Sequence, residues 1–208
     1  VSAVRALFVA VLSTAVVVSA LPAAAAGGSA NELQGQGSGR VPVDGATFND
    51  PSSSAAAQNR IIAYLNDMID QTPAGETIRI TQYNFTCGST VDKIIRAYKR
   101  GVNIQIVVND RVLGNNVSNS PLYQRLRKLL GTNTSKPSFF VACKRGCRGK
   151  GALHTKFVTI TKVKTSAGPR TNLIFTASGN ITCGWATGRQ YNDQYAIVGR
   201  ADLSQSFN

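Results

Sequence analysis

The sequence predicts an α/β fold, a mixed β-sheet flanked by helices on both faces. Three observations carry this. Stretches with apolar residues at helical spacing alternate with short β-rich stretches over most of the chain. One β-rich stretch, Asn103–Asp110 (NIQIVVND), is largely apolar, as in a strand covered on both faces. The element order, α-β-α-β-α-β-β-β-(α)-β, mixes helix-separated strands with strands that follow one another directly. A length of 208 residues suits one domain or one half of a two-lobed protein, and 43% apolar residues are enough to bury a core.

The chain opens with an export signature. Residues 1–26 carry Arg5 as their only charge, an apolar run from Ala6 to about Leu21, then Pro22 and a string of alanines. These are the parts of a secretory signal peptide. The run is shorter than the roughly 20 residues a spanning helix prefers, so cleavage near Ala26 and a secreted product are expected. Residues 27–54, rich in Gly, Ser, Ala and Asn, predict a flexible arm before a domain over 55–208.

Within that domain Ala55–Ile69 has helical spacing and ends before Pro73. Thr77–Phe85 alternates as a strand. Ser89, with Asp92 three residues on, reads as a capping box for a helix through Tyr98, stopped by Gly101. After the Asn103–Asp110 strand, Pro121–Leu130 is an amphipathic helix stopped by Gly131. Ser138–Cys143, Lys156–Val163, Asn172–Ser178 and Gln194–Gly199 read as further strands. The last residues, ADLSQSFN, begin another helix, which predicts a domain truncated at its C-terminus.

Composition narrows the chemistry. With 23 Lys+Arg against 10 Asp+Glu the formal charge is +13, and removal of the leader's one arginine leaves +12. Such a balance suits an anionic partner. The chain has one His, which excludes a two-histidine mechanism within one copy and any site with several His ligands. No metal or other cofactor is expected. Four Cys in an exported chain suggest two disulfides with three possible connectivities. Cys143 and Cys147, four apart, suit a tight loop, and Cys87 and Cys183 would then pair.

The one histidine lies in GALHTKFVTI. His154 and Lys156, two apart at the start of a strand, share a face. The next strand ends in TASGNIT, where Ser178 and Asn180 also share a face. If the two strands are neighbours, an imidazole, an ammonium, a hydroxyl and an amide converge, a set that suits a phosphate. Asp193, leading into the last strand, is expected to accept a proton from one ring nitrogen of His154. The basic run Lys144–Lys150 lies close by in sequence.

In this order and spacing, His154-Thr155-Lys156, Ser178-Gly179-Asn180 and Asn192-Asp193 resemble the phospholipase D superfamily. Its hallmark is H-x-K-x4-D followed by G-S-x-N, often with an N-x-E or similar acidic element further on. The resemblance covers roughly residues 55–204, and Arg100–Asp110 is similar to that family's helix-to-strand element. Three positions depart: Thr161 stands where the motif has Asp, Ala177 where it has Gly, and the Lys162–Thr171 loop is longer. The motif Asp is understood as structural.

The resemblance implies a metal-free mechanism with two H-x-K motifs around a pseudo-twofold axis. One histidine attacks phosphorus to give a phosphohistidine, and the other protonates the leaving alcohol. It gives His154 one of these roles, has Lys156 and Asn180 bind phosphate with Ser178 in support, and makes Asp193 an orienting carboxylate. The second motif would come from a second lobe or a homodimer partner, so the isolated monomer is expected to be inactive. With aromatics at 7% and no base-stacking motif, a phospholipid is the first expectation for substrate. Nucleic acid is the alternative, and an inactive anion-binding module of the same fold the third.

Overall fold

A computed structural model describes residues 39–184 and 186–207. The expected signal peptide, and the expected arm up to residue 38, lie outside these. The order of elements is β1 (Gly45–Phe48), α1 (Ala55–Gln58), α2 (Arg60–Gln71), β2 (Thr77–Gln82), α3 (Gly88–Lys99), β3 (Asn103–Asn109), β4 (Arg111–Val112), β5 (Asn115–Asn116), α4 (Pro121–Leu130), β6 (Phe139–Cys143), β7 (Lys156–Thr165), β8 (Gly168–Ala177), β9 (Asp193–Ile197) and α5 (Ala201–Ser206).

Seven strands form one sheet in the order β1-β9-β8-β7-β2-β3-β6. β2, β3 and β6 run parallel to one another, and the remaining pairs are antiparallel. The expected mixed sheet is therefore formed. Parallel neighbours need a crossover, supplied here by α3 and α4, whereas β7 and β8 turn back directly. Val158 pairs with both Ile80 and Phe175, and Phe175 with Ala196. This row packs under α2 and α3, with Leu65, Met68, Ile94, Ile106 and Phe140 in the same buried cluster. The opposite face carries the short α5 over β8, where Phe207 meets Phe157 edge-on at 5.0 Å.

Several local expectations are corrected. Residues 45–48 of the expected arm are the edge strand β1, with Phe48 opposite Asp193 and Ala46 opposite Tyr195. The Ala55–Ile69 helix breaks at Asn59, whose side chain bonds back to the Ala55 carbonyl at 2.8 Å. α3 begins at Gly88 after Cys87, so Ser89 lies inside its first turn rather than capping it. The loop expected over Lys162–Thr171 continues the β7–β8 ladder to Thr165 and Gly168, whose φ of +89° suits glycine. Among the described residues no helix forms between β8 and β9.

Candidate functional site

The site lies where β2 ends, β7 begins, β8 ends and β9 begins. Residues paired across neighbouring strands stand on one face. By that register Gln82, Lys156 and Gln194 project on the same side as Ile80, Val158 and Ala196, towards α2. They line one cavity with Asn180 and Asn192, while Ile62, Leu65, Val158 and Phe175 give it an apolar wall.

His154 is exposed and sits just ahead of β7. Three contacts hold its segment. The Leu153 N–H donates to Asn109 Oδ1 at 2.9 Å. Lys156 Nζ donates to the His154 carbonyl at 3.1 Å. The imidazole packs edge-on against Tyr83, ring centroids 4.8 Å apart. Tyr83 Oη in turn accepts the Leu113 N–H at 2.9 Å from the turn of the β4–β5 hairpin.

Lys156 is half-buried, and desolvation lowers its pKa from the usual lysine value. Among the described residues no carboxylate forms an ion pair with it. A partly desolvated cation without a counter-charge favours an incoming anion.

Asn180 lies in the loop after β8. Its Oδ1 accepts the Asn84 N–H at 3.1 Å. With the oxygen engaged, the Nδ2 donor side of the amide is left for a ligand. The loop is laced to the end of β2. Ile181 N donates to Gln82 Oε1 at 3.3 Å, and the N–H groups of Thr86 and Cys87 donate to the Ile181 carbonyl at 3.0 and 3.1 Å. An added Cβ at Gly179 would lie 2.9 Å from Asn192 Cγ, so a larger residue there displaces the Asn192 side chain.

The four cysteines form Cys87–Cys183 and Cys143–Cys147, one of the three connectivities left open by the sequence. The first joins the β2–α3 loop to the Asn180 loop. The second closes the basic loop after β6, in which Lys144, Arg145, Arg148 and Lys150 are exposed.

Two expected site residues are placed elsewhere. Ser178 follows the parity of Thr176, which pairs with Phe157, and so belongs to the face opposite Lys156. Its Oγ accepts the Asp193 N–H at 3.0 Å and lies 3.4 Å from Asn192 Oδ1, so it fastens β9 to β8 rather than lining the cavity of Lys156. Asp193 is exposed on β9, separated from β7 by the whole of β8 and by about 9–10 Å of strand spacing. It shares a face with Tyr195, and its carboxylate makes no contact with His154. The residue of β9 that faces the cavity is Gln194, 3% exposed, whose Nε2 has no hydrogen-bond partner. Counting N-x-E from Asn192 puts the third position at Gln194, an amide in place of the acid. That count was the available signal. Tyr83 and Asn84 had none, because both act across the sheet.

Thr161 is structural, as the resemblance implied for its position. Its Oγ1 donates to Glu76 Oε2 at 2.7 Å and accepts the Thr77 N–H at 2.9 Å, tying β7 to the start of β2.

This sheet, with H-x-K leading into one strand and S-x-N following its neighbour, is that of the phospholipase D superfamily. The chain belongs to the family described as "Cardiolipin synthase, PLD-like domain", whose model matches residues 65–207. Among solved structures it is similar to Nuc, a phospholipase D family member from Salmonella typhimurium. That match has 18% identity and a TM-score of 0.52, and covers 79% of this chain and 90% of that one. NucT from Helicobacter pylori matches at 14% identity and TM-score 0.51, over 79% and 91% of the two chains. Polyphosphate kinase from Porphyromonas gingivalis matches at 16% identity and TM-score 0.53, over 79% of this chain and 25% of that one. No curated protein sequence matches the chain.

Proposed function

We propose that the chain is a secreted phosphodiesterase that hydrolyses or transfers phosphatidyl groups through a phosphohistidine at His154. A ring nitrogen of His154 attacks phosphorus, and the bond from phosphorus to the leaving alcohol breaks. A second imidazole, from another copy or lobe, gives that alcohol its proton. The same group then takes a proton from water or an acceptor alcohol, which attacks phosphorus and breaks the P–N bond. Lys156 Nζ and Asn180 Nδ2 hold the non-bridging oxygens. The observation that carries the proposal is that Lys156, half-buried and without a carboxylate partner, lines the same cavity as Asn180.

A phospholipid substrate is supported by the apolar cavity wall and by Phe48, Tyr191 and Tyr195, exposed aromatics of the kind that sit at lipid interfaces. A nucleic acid is the second reading, favoured by the basic loop that leads into His154. Choline release from phosphatidylcholine vesicles, set against nicking of plasmid DNA, separates the two. If neither occurs at any protein concentration, and His154→Ala leaves phosphate binding unchanged, the chain is an anion-binding module instead. Specific activity that rises with protein concentration indicates a site shared by two copies, and a constant value contradicts that.

A further inference from the structure

We infer that the Cys87–Cys183 bridge is a positioning device for Asn180, so that the phosphate site is fully assembled only while the bridge is closed. This rests on the phosphate-binding role proposed above for Asn180.

The loop between β8 and β9 runs from 178 to 192 without helix or strand among its described residues, apart from an isolated bridge at Ile181 to Phe85. It must nonetheless hold one amide steady beside Lys156. The near end is fixed by β8. Beyond Asn180, the ties of the described residues to the β2–α3 loop fall within three residues. Phe85 bridges Ile181, Thr86 and Cys87 donate to the Ile181 carbonyl, and Cys87 bonds Cys183 across a Cα–Cα distance of 4.6 Å. Asn84, which donates to Asn180 Oδ1, lies three residues before Cys87, as Asn180 lies three before Cys183. The covalent bond therefore closes a short two-sided clamp, with the Asn84–Asn180 bond at its inner end. Without the bond, only these hydrogen bonds hold the loop, and it can open locally from its exposed residues Thr86 and Cys183.

Reagents can reach the clamp from one side only. Cys87 is fully buried, whereas Cys183 is exposed. A dithiol attacking there gives up two electrons and two protons, converting the bridge to two thiols and itself to a cyclic disulfide. Ser89 Oγ lies 3.2 Å from Cys87 Sγ and 3.7 Å from Cys183 Sγ, placed to hydrogen-bond either sulfur. If the chain acts outside the cell, the clamp closes in the oxidising compartment where the substrate is met. In a reducing cytosol it stays open, and phosphate affinity stays low.

The test is amide exchange at Asn84 together with binding of inorganic phosphate, on the full chain carrying Cys87→Ala and Cys183→Ala. Asn84 exchange accelerates about tenfold, and phosphate affinity and the KM for a phosphodiester worsen by a similar factor with kcat changed less. Adding Asn180→Ala to the bridgeless chain costs little more. In a Cys143→Ser/Cys147→Ser chain, Asn84 exchange stays as in the parent. If the bridgeless chain does not fold, dithiol reduction of the folded parent, followed by reoxidation, gives the same reading reversibly. Unchanged Asn84 exchange, or an Asn180→Ala effect of full size without the bridge, overturns the inference. Absence of turnover in the parent chain would count against the phosphodiesterase reading alone, with the exchange result still deciding the clamp.

Discussion

The Tyr83 ring meets the His154 ring edge-on, centroids 4.8 Å apart at 61°, and the Tyr83 hydroxyl is itself held by the Leu113 N–H. For the attack proposed above, an exposed imidazole gains most from such a support, because its alternative rotamers cost nothing else. Edge-to-face pairs are worth about 0.5–1.5 kcal/mol. Tyr83→Ala is therefore expected to lower kcat about 2- to 10-fold with the melting temperature little changed. Tyr83→Phe, which keeps the ring and loses the tether, falls between. A Tyr83→Ala enzyme as fast as the parent contradicts the role.

Lys156 is held below the usual lysine value of 10.5 by desolvation, so it loses its proton at lower pH than a free lysine does. Only the charged form binds an anion, so phosphate affinity is expected to decline on the alkaline side before pH 10.5. Lys156→Arg stays charged throughout and removes that decline. Lys156→Ala lowers kcat by about 10²–10³, the usual cost of one oxyanion donor. Phosphate titrations against pH check all three, and a flat alkaline profile in the parent would refute the assignment.

Glu76 gives the fold an acid limit. The Thr161 hydroxyl, then Lys162 at 3.1 Å, hold its carboxyl below the ordinary value of 4.5, with burial acting against them. A folded pKa below the unfolded one stabilises above the unfolded value, and that stability is lost as pH falls through the folded pKa. The melting temperature is expected to drop on acidification below about pH 4.5. Thr161→Val should cost about 1 kcal/mol near neutrality, show a shallower acid drop and keep its activity. Thermal melts from pH 3 to pH 7 decide this.

The strand parity of β9 separates two neighbours. Asp193→Asn is expected to leave turnover within about twofold, since its carboxylate faces away from His154. Gln194→Glu places a negative charge in a buried wall of the Lys156 cavity and, on the proposed reading, is expected to weaken phosphate binding at least tenfold. The reverse order of effects would restore Asp193 to the site. Ser178→Ala is expected to lower stability by about 1 kcal/mol through the Asp193 N–H, with phosphate affinity nearly kept.

What could be read from the chain followed from local rules. Periodicity placed the main helices and most sheet strands from Thr77 onwards, because one buried face leaves a period in the sequence; Asn103–Asn109, whose apolar run suggests cover on both faces, instead alternates half-buried and buried. Spacing and resemblance together led to Lys156 and Asn180, which line one cavity, and to His154, which stands exposed just ahead of β7. Gly45–Phe48 was not, because a four-residue edge strand draws its order from β9 and not from its own pattern. Asp193 was misplaced by one residue, and one residue in a strand is a change of face. Ser178 obeys the same rule, since it lies one step past Ala177 at the strand end. Tyr83 and Asn84 act on residues about 70 and 96 positions away in sequence, across a pairing that only the fold supplies.

On the proposed mechanism, His154 forms and breaks a bond to phosphorus. The most direct measurement is a brief reaction with a radiolabelled phosphodiester, followed by quenching in alkali and peptide mapping. An acid-labile phosphoryl adduct on His154 is expected, absent from His154→Ala, whose steady-state turnover falls by about 10²–10⁴. Label on another residue, or a His154→Ala chain that turns over like the parent, would contradict it.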